Sequence, residues 1–458
     1  MTETIATTAH SDSRQHPYDY YYRPGMELRP APPRAGNSPE WLHMRRRLFS
    51  PWIKVREVPE ETPLIRRLQD HLWQGDELMD AVAELSRRVG AEKFRSLLDT
   101  VLEHGIETVD SPPEELTALF EQLCGRPDWF DAELYERGRV LMANGTPFGK
   151  LGGGIVNVIM TAYGEAVSSA TGATGRVERD LYRRELETQD FFRKVPLPDA
   201  LDRFSDTFKT TVRVRLMHAQ VRHGLRRRWG ADGYAHHGDP ISNTDMSLGV
   251  PAYGVVNLLV DALLGARVTM ADLEAVNMYW SYTAYRFGVS ADILPRNAIE
   301  AIQQFDYILS TLGKPSQWSE AIAERLLRYT REAFTSSDSG LVNRLVDKTF
   351  FPLYCGMIVD IGGDPVGYQT AGTSGFSRSQ LRRYGTVYRT VGGALVRLTS
   401  WADRRPGQQR RMRARAAEGD PFQNMFHRVT AVLAEKQGLR SATFDSHDAS
   451  KPTDFGKK

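Results

Sequence analysis

LDRFSDTFKTTVRVRLMHAQVRHGLRRRW, Leu201–Trp229, is the stretch whose reading decides the fold. At about 100° per residue, Val214, Val221 and Leu225 fall on one side of His218, and Phe208, Val212 and Ala219 fall on the other. The pattern predicts a long helix with a wide apolar face, and His218 sits inside that face. Arg215 stands three residues before the histidine and Arg222 four after it, spacings that stack side chains along one side of a helix. Arg213 points outward as an ordinary solvated charge.

An imidazole among apolar side chains and flanked by two cations must find acceptors, because a polar group buried without a partner costs on the order of a few kcal/mol. Two readings follow. In the first, His218 is a core histidine bonded to a backbone carbonyl, and Arg215 and Arg222 pair with acidic side chains of neighbouring helices. In the second, His218 ligates a haem iron and one or both arginines meet the propionates. From the helix alone the first is the more ordinary reading, although the second accounts for all three residues at once.

The 458 residues, 41% hydrophobic and 10% aromatic, are enough to bury a large core. Acids and bases nearly balance at a net charge of +2, so no whole-protein field marks a dedicated nucleic-acid binder. The most cationic stretch, Arg404-Arg405, Arg410-Arg411, Arg413 and Arg415, reads as a solvated face, because neither interleaved aromatics nor a recognition fold accompanies it. Cys124 and Cys355 are the only cysteines, which excludes a disulfide framework, a zinc finger and a cysteine-ligated iron–sulfur cluster. No run of 18 apolar residues is present, so no membrane span is expected. Arg45-Arg46-Arg47 is followed by charged residues instead of the apolar stretch that export requires, and a cytoplasmic location is expected.

Residues 1–40, rich in Pro, Ser, Thr and Tyr, read as a flexible arm, residues 41–440 as one helical domain, and 441–458 as a disordered tail. From Pro63 to Cys124 apolar residues recur at helical spacing. The loop Asn144–Lys150 resembles a phosphate-binding loop but has one residue too few between its glycines and Leu151 where Ser or Thr is needed. The small residues of Gly152–Gly175 suit close helix packing, and Glu165 is the acidic side chain among them. In the predicted helix Val177–Lys194, Arg184 and Thr188 share a side with Leu181, Phe191 and Phe192. Beyond Trp229 a polar, glycine-bearing connection is expected, with His236-His237 lacking the geometry of a metal site. Apolar helical patterns follow over Val250–Leu264, Met270–Phe287, Ala298–Leu312 and Trp318–Phe334. No period-2 strand pattern stands out before residue 300.

The succession PDWFDAELYERG, TGRVERDLYRRELET, VRVRLMHAQVR, ISNTDMSL and MYWSYTAYRFGVSADILP resembles the rubber oxygenase (latex clearing protein) superfamily. That group also holds fungal oxygenases that cleave a prenyl side chain. The resemblance covers roughly residues 125–300 in ordered blocks, a stronger signal than any single motif. It implies an all-α fold, a single large helical domain with a globin-like core between the Val177–Lys194 and Leu201–Trp229 helices, closed by Met270–Phe287.

The resemblance also implies that His218 is the proximal ligand of haem b and so reverses the order of the two readings. Arg184 and Thr188 fall on the arginine and threonine of the family's preceding helix. Where latex clearing proteins carry a lysine directly before that threonine, this chain has Glu187, and a carboxylate donates only when protonated. Glu165 is the candidate for an acidic residue near the substrate, and Glu187 or Glu165 for moving a proton. The implied activity is O2-dependent oxidation of a small lipophilic, isoprenoid-like alkene, by C=C cleavage. The alternatives are a haem-dependent hydroxylase or desaturase served by an unidentified electron donor, and a non-catalytic haem-binding sensor.

Overall fold

The computed structural model describes residues 18–168, 181–337, 339–402 and 407–439. Helices account for its regular structure, and no strand occurs among the described residues. The layers follow from which apolar stripes meet. The helices Glu77–Val89, Ala91–His104 and Glu114–Cys124 join Met79, Val82, Leu98 and Phe120 in one cluster with Phe208, Val212 and Ala219 of the central helix. A larger core holds the helices from Pro147 onward, with Ile155, Val256, Tyr279, Phe305 and Ile358 fully buried.

The central helix runs Asp206–His237. Ser205 caps it by accepting from the Phe208 N–H, so Leu201–Phe204 precede the helix instead of belonging to it. Gly230, at φ 65°, interrupts it just after Trp229, a left-handed conformation that glycine adopts at least cost. The connection expected beyond Trp229 is therefore largely helical. It continues to His237 and then forms the short helix Asn243–Ser247, started by a capping box of Ser242 and Asp245. Likewise Asn144–Lys150 is mostly helix. Thr146 caps and Pro147 opens Pro147–Tyr163 at the position where proline's missing N–H is harmless.

Small residues set the closest crossings. A side chain at Gly152 would lie 2.4 Å from Val260 Cγ1, and one at Gly153 would lie 2.0 Å from Asn257 Oδ1. The glycine-rich stretch is thus the contact surface against Val256–Leu263. Asn243–Leu263 is long and apolar enough to cross a membrane by length and composition, contrary to the expectation from unbroken apolar runs, and 61% of that window is buried inside the molecule.

Residues 1–17 and 440–458 lie outside the described residues, as do Arg404 and Arg405. From Tyr18 onward the N-terminal arm is fastened instead of loose. Tyr18 Oη donates to the Arg226 carbonyl at 2.9 Å, Tyr20 Oη donates to Asp70, and Tyr21 Oη reaches Asp80 at 3.0 Å. The phenols supply both apolar area and a polar tip, which suits tyrosine to this draped position.

Candidate active site

The helix Leu181–Lys194 presents Leu181, Arg184, Glu185, Thr188, Gln189 and Phe192 to a cavity of about 320 Å³. Val177–Asp180, the predicted first turn, lie outside the described residues. The cavity size is in the range of small-molecule sites, about 300–1,000 Å³. Opposite walls come from Pro147–Tyr163, Met270–Arg286, Ser319–Phe334, Gly340–Gly362 and Pro421–Lys436. Phe192, Tyr253 and Trp280 form one aromatic wall, with ring centroids 4.7 to 6.0 Å apart. Gly254 makes that wall possible, since a side chain there would come 2.7 Å from Trp280 Cδ1. A buried ion pair, Lys150 Nζ to Asp420 Oδ2 at 2.5 Å, ties two of the helical walls together.

The polar groups in this wall are shifted towards their neutral forms. Burial raises the Glu185 carboxyl above its ordinary value, with Arg184 opposing the shift. Burial likewise pushes the Tyr253, Tyr329 and Tyr354 phenols up. The lining is therefore largely apolar, and of its two cations Lys150 is paired with Asp420 while Arg184 has no ion pair among the described residues.

His218 does not line this cavity. Its Nδ1 is buried and has no hydrogen-bond partner among the described residues. Burial lowers its pKa to about 4, helped by the positive charges of Arg222 and Arg184. Arg184 thus connects the two halves of the site, lying in the cavity wall and close enough to His218 to act on its charge. A neutral imidazole with an unsatisfied buried nitrogen has the chemistry that would hold a haem iron. On this point the residues fit the cofactor that the sequence implies.

Arg215 and Arg222, the candidate propionate partners, are each engaged by an acidic side chain. Arg215 holds Asp76, donating to Oδ1 at 2.8 Å, and also donates to Gln122 Oε1 at 2.7 Å. Arg222 pairs with Asp80 and donates to the Ile241 carbonyl at 2.9 Å. Arg226, not singled out in the sequence, closes the cluster on Asp239 and Asp80. Three buried cations face three buried carboxylates, which is the arrangement charge burial demands. The donors counted on for propionates are already committed.

Of the other predicted residues, Arg184 and Thr188 reach the cavity and Glu187 and Glu165 do not. Glu187 is buried, and its helical position is about 60° outside the sector that faces the cavity. Glu165 is exposed beside Gly313 and borders a separate crevice of about 30 Å³ with Trp229 and His237. Two acidic residues among the described ones do line the cavity, Asp420, which Lys150 holds, and Glu185, and the sequence reading missed both. The only local signal of Glu185 is the i,i+4 relation to Gln189 on the Arg184 side of the helix. Among the described residues no cluster of three metal-ligating side chains occurs, and His236 and His237 meet edge to face, His237 also lying against Trp229.

The family model described as "ER-bound oxygenase mpaB/B'/Rubber oxygenase, catalytic domain" matches residues 144–390, which includes both helices of the site. Among solved structures, latex clearing protein in its closed state matches with a TM-score of 0.51 and 21% identity, over 78% of this chain and 91% of that one. That likeness concerns the fold. No curated protein matches.

Proposed function

This chain belongs to the mpaB/B' and rubber oxygenase family, and from that premise we propose that it is a haem b-dependent oxygenase of a small lipophilic alkene. The observation that carries the proposal is the joining of the two half-sites: Arg184 and Thr188 in the wall of an aromatic-lined cavity, with the Arg184 charge acting on the half-buried His218, whose Nδ1 has no hydrogen-bond partner among the described residues. His218 would hold the iron. Haem supplies the ferrous centre for dioxygen chemistry when bound.

The protein's own residues set the rest. Phe192, Tyr253, Trp280 and Leu326 take the apolar chain and exclude water. Arg184 and Thr188 donate hydrogen bonds into the cavity, and Glu185, raised by burial, holds a proton at its wall. The proposed reaction adds O2 across a C=C bond and breaks that bond into two carbonyl fragments. It balances without an external reductant, so an electron donor is needed only for hydroxylation or desaturation. We place the reaction in the cytoplasm, a reading supported by the two free thiols.

The test is the absorption spectrum of the purified protein, oxidised, dithionite-reduced and with carbon monoxide, beside His218→Ala. A Soret band that shifts on reduction and on carbon monoxide and is lost in the variant is the expected result. Full haem with an unchanged spectrum in the variant would overturn the assignment of His218. Products from squalene or a farnesyl chain then separate cleavage, which shortens the carbon chain, from hydroxylation, which preserves it.

A further inference from the structure

The helical run from Arg378 to Ala402 is apolar on two faces, and the body covers only one. It comprises the helix Arg378–Val387, a π-helical turn at Tyr388–Gly392 and the helix Gly393–Ala402. Its inner face, Leu381, Gly385, Tyr388, Gly392 and Val396, is buried. Gly385 meets Gly356 of the helix Gly340–Gly362, and Gly392 and Gly393 lie against Leu264. Its outer face carries Val387, Val391, Leu395 and Leu398, at 38%, 53%, 44% and 62% exposure. A surface helix ordinarily presents polar side chains there. These four residues form one stripe about 16 Å long at 1.5 Å per residue.

The charges that the run itself carries have a single sign, and two of its arginines, Arg378 and Arg389, are paired with Asp364 and Asp360. Between Asp364 and Asp403 the chain holds five arginines and no Asp or Glu. Arg382, Arg383 and Arg397 are exposed, with no ion pair among the described residues. The next helix, Gln408–Glu418, continues the pattern with exposed Arg410, Arg411, Arg413 and Arg415.

We propose that the outer face of Arg378–Ala402 docks on the surface of an anionic phospholipid bilayer, Val387, Val391, Leu395 and Leu398 entering the acyl boundary while the arginines meet lipid phosphates. An exposed aliphatic stripe rimmed by arginine has the composition of an interfacial helix. Charge selects this occupant. A second copy of the chain placed on the same stripe would set arginines against arginines, and a nucleic acid has no use for the aliphatic side chains. The docking face is also joined to the cavity. Leu264, against which the run packs, ends the segment whose earlier residues Ala252, Tyr253 and Asn257 line the cavity wall. A lipophilic substrate dissolved in the bilayer would then lie on the side of the protein where that segment ends, and the segment leads from there to the cavity wall.

The test is co-sedimentation of the full-length chain with phosphatidylcholine vesicles, with and without phosphatidylglycerol, beside Leu395→Asp/Leu398→Asp and Arg382→Glu/Arg383→Glu. The expected result is binding that needs phosphatidylglycerol and falls by at least about tenfold in each double variant, with melting temperature and elution volume unchanged. Absence of binding to either vesicle overturns the proposal, and so does binding that both variants leave intact. A dimer that Leu395→Asp/Leu398→Asp dissociates, in a protein that ignores vesicles, assigns the stripe to a second copy and also overturns it. The readout needs no haem and no turnover, so its failure is separate from failure of the oxygenase assignment.

Discussion

Arg184 is the residue on which the two halves of the site depend. It lines the cavity together with Thr188, and its charge bears on His218, which does not line it. Arg184→Ala and Thr188→Val are expected to lower the rate of oxygen consumption with an alkene by about 10- to 100-fold, with the Soret band retained. Arg184→Lys should recover part of the loss in the arginine variant, because a cation at that position keeps the charge though not the planar fork. Loss of haem from Arg184→Ala would instead make the arginine a cofactor anchor. Glu187 is buried and outside the cavity wall, and Glu185 two residues earlier faces the cavity.

The central helix and the helix Glu77–Val89 are held together by the cluster of Arg215, Arg222, Arg226, Asp76, Asp80 and Asp239. Asp76 also caps its own helix, accepting from the Met79 N–H at 3.2 Å. Gly288, at φ 89°, leaves the space the cluster needs, since a side chain there would come 2.1 Å from Asp76 Oδ2. Removing one member strands an opposite charge in the interior. Asp80→Asn should therefore destabilise the fold by about 3–5 kcal/mol, measured by urea unfolding. A loss below about 1 kcal/mol would mean that the cluster is hydrated and behaves as a surface network. Haem content per folded molecule should stay constant in this variant, which distinguishes an element-level role from a role at the cofactor.

For the molecule as a whole, buried histidines set the response to acid. Burial lowers His223 to about 4, with Arg226 and Arg87 acting in the same direction and Asp80 opposing. His237 is likewise lowered to about 4, by burial and then by His236 and Arg34. The ordinary value is 6.5, so the unfolded chain takes up these protons first. The stability from keeping both rings neutral is complete above pH 6.5 and is lost as the pH falls towards about 4. His223→Gln should flatten the decline of the melting temperature over that window. An unchanged slope would assign the acid sensitivity to the carboxylates.

By itself the sequence determined the all-helical class, the face of the central helix that holds His218 and the shared side of Arg184 and Thr188, but it started that helix at Leu201, ahead of the Ser205 cap, and ended it at Trp229, short of His237. Periodicity and capping depend on residues within a turn or two of one another and are therefore written locally. The tertiary structure alone decided that Arg215 and Arg222 answer Asp76 and Asp80 and that Glu165 lies beside Gly313. It also decided that Tyr253, Trp280, Tyr329, Tyr354 and Phe422 meet around Arg184. Those contacts join residues tens to hundreds of positions apart, and glycines such as Gly153 and Gly254 fix them by how closely they let the helices approach.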